Sequence, residues 1–122
     1  FYAPDPASQK ISTIGGNVAT NAGGLHCLTW GTTTNHVLGL EVVTPTGAVI
    51  ETGAATLDAA GYDLTGLLTG SEGTLGIVTE LVVRILPSAE SVLTLLAVYD
   101  SLADAARSVS ANSLKRPTAT RP

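Results

Sequence analysis

Two glycine pairs, Gly15-Gly16 and Gly23-Gly24, bracket a segment of small polar residues that could hold an anion. Glycine lets a backbone approach a ligand closely and adopt a positive φ. Successive N–H groups at the start of a helix attract negative charge. No Lys or Arg occurs between Ile11 and Val83, so an anion there would be held by backbone N–H groups and hydroxyls. Ordinary tight turns explain the same pattern equally well.

The standard nucleotide and hydrolase motifs are missing around these glycines. The segment contains no Lys of a P-loop and no G-x-G-x-x-G after a strand, which disfavours P-loop and Rossmann binding. A second glycine cluster surrounds Ser71, but Thr69 stands where a nucleophile elbow needs glycine. Glu72 lies between Gly residues and is more typical of a turn than of a catalytic acid.

The metal-ligating and thiol residues are too few for a metal centre. His26 and His36 lie ten residues apart with one nearby thiol, Cys27, whereas zinc needs three or four ligands. The histidines are more typical of surface or hydrogen-bonded positions. A single cysteine excludes an internal disulfide and is more typical of a small buried side chain.

The composition is apolar for a small free-standing protein. The chain has 122 residues, 44% hydrophobic and 13% charged, with a net charge of −4. Soluble domains average roughly 25% charged residues. We therefore expect that missing chain or partners cover this surface, or that the chain is loosely folded alone. The start at Phe1 without Met predicts a lost N-terminus. The acidic balance disfavours nucleic acid. No apolar run reaches the roughly 18 residues of a membrane span, and we expect no secretory signal, because the sequence has no basic start followed by an apolar stretch.

Turn and cap residues divide residues 1–88 into short elements. The pattern predicts a helix over Thr13–Asn21 capped by Ser12 or Thr13, and a helix after Asp63 that ends before Gly70. Predicted strands are Val37–Thr44 and Ala48–Thr52, joined by the turn Pro45–Gly47, and Gly76–Leu86. The order lacks a βαβ rhythm and favours an α+β fold, a mainly antiparallel sheet flanked by helices.

The pattern of residues 92–122 predicts one strand, one helix and a tail. Val92–Tyr99 is predicted as a strand, followed by a helix that Ser101 caps. The apolar face of this helix consists of Leu102, Ala105, Ala106 and Val109. Residues 112–122 are interpreted as a solvated tail.

Four segments in order resemble the vanillyl-alcohol oxidase superfamily, whose cofactor unit is the PCMH-type FAD-binding domain. Within it, the likeness is to glycolate oxidase D subunits and to D-lactate and D-2-hydroxyglutarate dehydrogenases. The segments are PDP (Pro4–Pro6), TIGGNVATNAGGLHCLTWG (Thr13–Gly31), VLGLEVVTPTGAVIETG (Val37–Gly53) and GYDLTGLLTGSEGTLGIVTELVVRILP (Gly61–Pro87).

The resemblance implies three regions of the chain. Residues 1–87 would form the second subdomain of the FAD-binding domain, 92–111 the truncated start of the C-terminal oxidase domain, and 112–122 the tail. It implies FAD as the cofactor and no catalytic or metal-binding residue in this chain. The residues implied to contact FAD are Asp5, Ser12, Thr13, Gly15, Gly16, Asn17, Thr20, Ala22, Gly23, Gly24, Glu72, Gly73, Gly76, Ile77 and Val78. A role for His26 is not implied.

The implied function is oxidation of a D-2-hydroxy acid by hydride transfer to flavin in a cytoplasmic enzyme. The base and the substrate-carboxylate ligands would lie in other parts of the enzyme or in partner subunits, so that this chain is expected to be inactive alone. Two alternatives stay open: a non-catalytic fragment or subunit, and an oxidase of the same superfamily that acts on another alcohol.

Overall fold

The computed structural model describes residues 1–54, 61–88 and 94–114. It divides the chain into two compact units, Phe1–Ser88 and Ala89–Pro122. The elements in chain order are α1 (Ile14–Ala19), α2 (Cys27–Trp30), a 3-10 helix (Thr33–Asn35), β1 (Val37–Val43), β2 (Val49–Gly53), α3 (Leu64–Leu68), β3 (Ile77–Val83) and α4 (Leu102–Leu114).

The three strands form one antiparallel sheet in the order β2-β1-β3. The β1–β2 hairpin closes through Thr44, whose N–H donates to the Ala48 carbonyl at 2.8 Å. Gly47 supplies the left-handed residue of the turn at φ 83°. The sheet and its flanking helices confirm the predicted α+β class, and the hairpin confirms both of its predicted strands within two residues.

One face of the sheet carries the hydrophobic core. Alternation along β1 turns Leu40 and Val42 inward, where they are 3% and 0% exposed. Val18 from α1 and Leu68 from α3 complete this core together with Val37. Two short helices therefore cover the inner face of the sheet, and their ends are fixed relative to its strands.

Both short helices begin at the predicted caps. The Thr13 hydroxyl accepts from the Gly16 N–H at 3.1 Å, and the Asp63 carboxylate accepts from the Gly66 N–H at 2.8 Å. Each cap satisfies one N–H group that a helix of five or six residues leaves without an intrahelical partner. Of the two residues predicted as possible caps of α1, Thr13 is the cap and Ser12 is not.

Strand β3 is shorter than predicted. It ends at Val83, opposite the first residue of β1. Beyond it, the Arg84 N–H donates to the His36 carbonyl just before β1, and the Leu86 N–H donates to the Phe1 carbonyl of the N-terminal segment, both at 2.8 Å. Helix α2 and the 3-10 helix were not predicted. They are only four and three residues long, and their threonines and asparagine favour turns over helices in a local pattern.

The predicted strand Val92–Tyr99 is wrong for its described part, since residues 94–99 pair with no strand in the described chain and residues 92–93 lie outside it. An apolar run alone cannot supply the ladder that defines a strand. Ser101 caps α4 as predicted, its hydroxyl accepting from the Asp104 N–H at 3.1 Å. The helix continues to Leu114, into the segment interpreted as a tail; residues 115–122 lie outside the described residues.

None of the helices in the described ranges has the length and apolar character needed to cross a membrane.

Candidate functional site

The start of α1 offers backbone donors beside an open surface. The N–H groups of Ile14 and Gly15 belong to the first turn, and within the described residues neither donates a hydrogen bond. A side chain at Gly15 would meet nothing within 4 Å, whereas one at Gly16 would lie 3.1 Å from the Thr13 hydroxyl. The surface at Gly15 is thus free for a ligand to reach both N–H groups.

The second glycine pair lies where two segments of the chain cross. Pro6 and Gly24 form an isolated antiparallel bridge, and the Ala7 N–H donates to the Gly23 carbonyl at 3.3 Å. A Cβ on Gly24 would lie 1.6 Å from the Asp5 carbonyl oxygen. Gly24 is therefore required by the close approach of the chain to itself, independently of any ligand.

This crossing brings Asp5 to His26. The Nε2 atom of His26 lies 3.3 Å from a carboxylate oxygen of Asp5, and their side chains are 61% and 27% exposed. Cys27 is the first residue of α2, and its sulfur accepts from the Gly24 N–H at 2.9 Å. Sequence reasoning had no signal for the His26–Asp5 pair, because 20 residues separate the two and only the crossing aligns them.

The second glycine cluster docks on the far end of α1. The Gly70 N–H donates to the Val18 carbonyl at 2.8 Å, and the Glu72 N–H to the Ala19 carbonyl at 2.9 Å. Glu72 adopts a positive φ of 51° in this turn. The two glycine-rich motifs, more than 50 residues apart in the sequence, are thereby joined. The acceptors are carbonyl groups at the C-terminus of α1 that have no partner within the helix.

The remaining residues implied to contact FAD differ in exposure. Asn17 is buried, with an exposed fraction of 8%. The Thr20 hydroxyl donates to the Gly16 carbonyl one turn earlier, at 2.9 Å. Gly76 packs against β1, since a Cβ there would lie 2.6 Å from a Val42 methyl group. Ile77 is 62% exposed, while Val78 packs against the core. Ser12, Ala22 and Gly73 are half-buried or exposed.

His36 is the histidine that the fold buries completely. It is 0% exposed, and its Nε2 lies 2.8 Å from the Trp30 carbonyl oxygen. Since a carbonyl only accepts, Nε2 carries a proton in this contact, and Nδ1 has no hydrogen-bond partner among the described residues. The ring of Tyr2 lies edge-on at 6.2 Å, and burial raises the pKa of the Tyr2 phenol. His36 thus packs the N-terminal segment against the sheet.

Within the described residues, no group of three or more His, Cys, Asp or Glu side chains is arranged to hold a metal ion.

Comparison with known proteins shows which proteins this chain resembles. The model of the FAD binding domain family matches residues 1–53. The glycolate oxidase subunit GlcD of Bacillus subtilis is 56% identical over 111 residues, which cover 90% of this chain and 24% of that protein. A D-lactate dehydrogenase of Anaerostipes hadrus is 46% identical over 105 residues, covering 85% of this chain and 22% of that protein.

A solved structure extends the likeness to the fold. Alkyldihydroxyacetonephosphate synthase superposes with a TM-score of 0.61 at 32% identity, over 75% of this chain and 17% of that one. The chain thus spans less than a quarter of the length of the relatives it matches. The free N–H groups and open surface at the start of α1 fit an anionic cofactor held without cationic side chains. Residues 1–53 thus match the FAD binding domain family, and the chain as a whole resembles a segment of the FAD-linked oxidoreductases with a PCMH-type FAD-binding domain.

Proposed function

We propose that this chain forms part of the cofactor site of an enzyme that oxidises a D-2-hydroxy acid of the glycolate or D-lactate type. The support is the names of the relatives, which include a glycolate oxidase subunit, D-lactate dehydrogenases and a D-2-hydroxyglutarate dehydrogenase. In such an enzyme, bound FAD supplies the acceptor for the hydride from the substrate carbon. The residues of this chain bind and orient the cofactor.

The observation that carries the proposal is the pair of unpaired N–H groups at Ile14 and Gly15 beside a surface without a side chain. We assign the diphosphate of FAD to these groups and to the hydroxyls of Ser12 and Thr13. A diphosphate oxygen placed there accepts two backbone hydrogen bonds and lies at the positive end of α1. The lack of Lys and Arg between Ile11 and Val83 leaves backbone donors as the main source of binding energy in this segment.

The other residues implied to contact FAD support the same site from two sides. We assign the turn at Glu72 and Gly73, with Gly76, Ile77 and Val78, to one wall, because it is hydrogen-bonded to the end of α1. The opposite wall is the crossing of Asp5 with Gly23 and Gly24. The remaining assigned residues, which shape α1 and the turn after it, are Gly16, Asn17, Thr20 and Ala22.

The base and the substrate-carboxylate ligands are proposed to lie outside this chain, in the rest of the enzyme or in a partner subunit. The chain spans 24% of the Bacillus subtilis relative, which leaves most of a protein of that length to supply them. A second candidate is a non-catalytic fragment or subunit that only helps to hold FAD. A cytoplasmic location and an alcohol substrate other than a hydroxy acid stay untested predictions.

The assignment of the diphosphate is tested by comparing FAD with riboflavin, which lacks it. Titrating the 122-residue chain and following flavin fluorescence should show tighter binding of FAD. Gly15→Val should remove that preference, because a branched side chain blocks the two N–H groups without meeting other atoms. Losing two hydrogen bonds to a charged group weakens binding by about a hundredfold or more.

Leu67→Val serves as the matched control, since Leu67 is 61% exposed on the other short helix. It should leave both dissociation constants unchanged. Equal affinity of FAD for the parent and for Gly15→Val would show that the diphosphate is not bound at the start of α1.

A further inference from the structure

The face of the sheet opposite the core carries a row of three carboxylates. In the register of the sheet, Glu41 on β1 pairs with Glu51 on β2 and with Glu80 on β3. The adjacent row, which contains Leu40, points into the core, so the glutamate row points away from it. A bulge in β3 at Thr79 lets its hydroxyl donate to the Glu41 carboxylate at 2.5 Å, which holds that group over the face.

Apolar side chains and a recess flank this row on the same face. On one side lies the row of Val43, Val49 and Ile77, of which the last two are 60% and 62% exposed. On the other side, Gly39 pairs with Gly53, so that two neighbouring positions have no side chain. A cavity of about 310 Å³ opens there, lined among others by these glycines, the three glutamates and Val82.

The carboxylates have no cationic neighbour in the described residues. The ion pairs of those residues join His26 with Asp5 and Arg107 with Asp104, and none reaches the glutamate row. Like charges directly opposite each other in a sheet are destabilising. A row of three such charges beside exposed apolar side chains is therefore suited to a surface that supplies positive charge.

We propose that this outer sheet face, formed by the glutamate row, the valine–isoleucine row and the glycine recess, docks a basic polypeptide segment. The segment carries Arg or Lys side chains that pair with Glu41, Glu51 and Glu80, one of them entering the recess over Gly39 and Gly53. Its apolar side chains cover Val49 and Ile77. A protein as long as the Bacillus subtilis relative has most of its polypeptide outside this chain to provide such a segment.

The negative charge of this face favours a basic segment over a second copy of the chain and over an anionic partner. A second copy of the same face would place six carboxylates against one another, which opposes self-association. Anionic surfaces such as nucleic acids and acidic lipid headgroups are repelled for the same reason.

The test uses an eight-residue peptide of alternating arginine and valine, titrated into the 122-residue chain and followed by amide chemical shifts. The expected shifts concentrate on the three strands, at Gly39, Glu51 and Val82. A peptide of alternating glutamate and valine is the control and should cause none. Shifts that concentrate elsewhere, or no shifts with the basic peptide, would overturn the proposal.

Glu51→Gln/Glu80→Gln tests the charges. Two exposed ion pairs correspond to a loss of about two- to thirtyfold in affinity for the basic peptide. Asp100→Asn removes an exposed charge from the other unit and should leave the affinity unchanged. An equal loss in this control would mean attraction to net charge alone and would contradict a docking face.

Two measurements without peptide complete the test. The double variant should unfold at the same or a higher temperature than the parent, because it relieves repulsion; a lower temperature would contradict unpartnered carboxylates. Sedimentation should show a monomer, whereas dimerisation that Glu51→Gln/Glu80→Gln strengthens would identify a second copy as the occupant.

Discussion

At the scale of single residues, two glycines of the same motif serve different purposes. Gly24 has no room for a side chain because the Asp5 carbonyl oxygen occupies it, whereas Gly15 borders open space. A valine at Gly24 would disrupt the crossing of the chain and lower any affinity through misfolding. Gly15→Val is therefore the substitution that separates binding from folding. Local sequence predicts that glycine is needed at both positions but not which atoms approach it, since the approaching segment is remote in sequence.

The buried phenol of Tyr2 makes stability depend on pH in a predictable direction. Burial raises the pKa of Tyr2 above its model-compound value of 10.0, so the unfolded chain releases this proton first as the pH rises. The contribution of Tyr2 is fully present below about pH 10 and is lost as the pH rises through the folded-state value. Tyr2→Phe should therefore flatten the alkaline loss of stability, measured by urea unfolding at several pH values.

Near neutral pH, Tyr2→Phe should change stability by at most about 1 kcal/mol, because within the described residues the buried Tyr2 hydroxyl has no more than a weak contact with the Thr33 side chain to lose. Tyr62→Phe is the control, since Tyr62 is 96% exposed. It should leave the alkaline profile as it is. The same flattening in both variants would show that the effect is not due to burial of Tyr2.

At the scale of elements, the turn that docks on α1 fixes the relation of the two glycine motifs. Glu72 holds a positive φ of 51° while its N–H bonds to Ala19. We predict that Glu72→Gly is close to neutral, because relief of the left-handed strain offsets the added freedom of the unfolded chain. Glu72→Val should destabilise by about 1–2 kcal/mol more, since a branched side chain tolerates this φ poorly.

Thermal and urea unfolding of both variants measure the difference. Leu75→Val, at an exposed position in the same turn without a positive φ, controls for a β-branched side chain as such. Equal stability of Glu72→Gly and Glu72→Val would contradict the backbone role of this residue and would point to its carboxylate instead.

The elements that sequence predicts well are those whose signals are local. The Thr13 and Asp63 caps bond to residues three positions away, and Gly47 closes a hairpin whose partners are near in sequence. The contacts that sequence misses are remote: the residues after β3 donate to the carbonyls of Phe1 and His36. The proposed FAD site depends on the resemblance, because the unpaired N–H groups assigned to it are backbone atoms without a residue signature of their own.

At the scale of the whole molecule, most of the apolar side chains of the described residues lie on the surface. Leu25, Leu28 and Ile85 are 90%, 76% and 69% exposed, while the buried apolar side chains of the described residues form one small cluster. An apolar surface of this extent marks contact sites with other protein. The exposed apolar surface agrees with a chain that spans 24% of the length of its Bacillus subtilis relative. It also explains why a composition of 44% hydrophobic residues does not produce a large core.

This partial span leads to the prediction that the chain with added FAD does not turn over glycolate or D-lactate. Oxidation needs a base within hydrogen-bond reach of the substrate hydroxyl, in a site that excludes water. In the loops assigned to FAD, His26 and Asp5 are paired with each other and partly exposed, which suits neither requirement. Dye reduction by the chain with FAD and either substrate should equal that of free FAD. Turnover above this background that His26→Gln abolishes would identify His26 as the base and place catalysis within this chain.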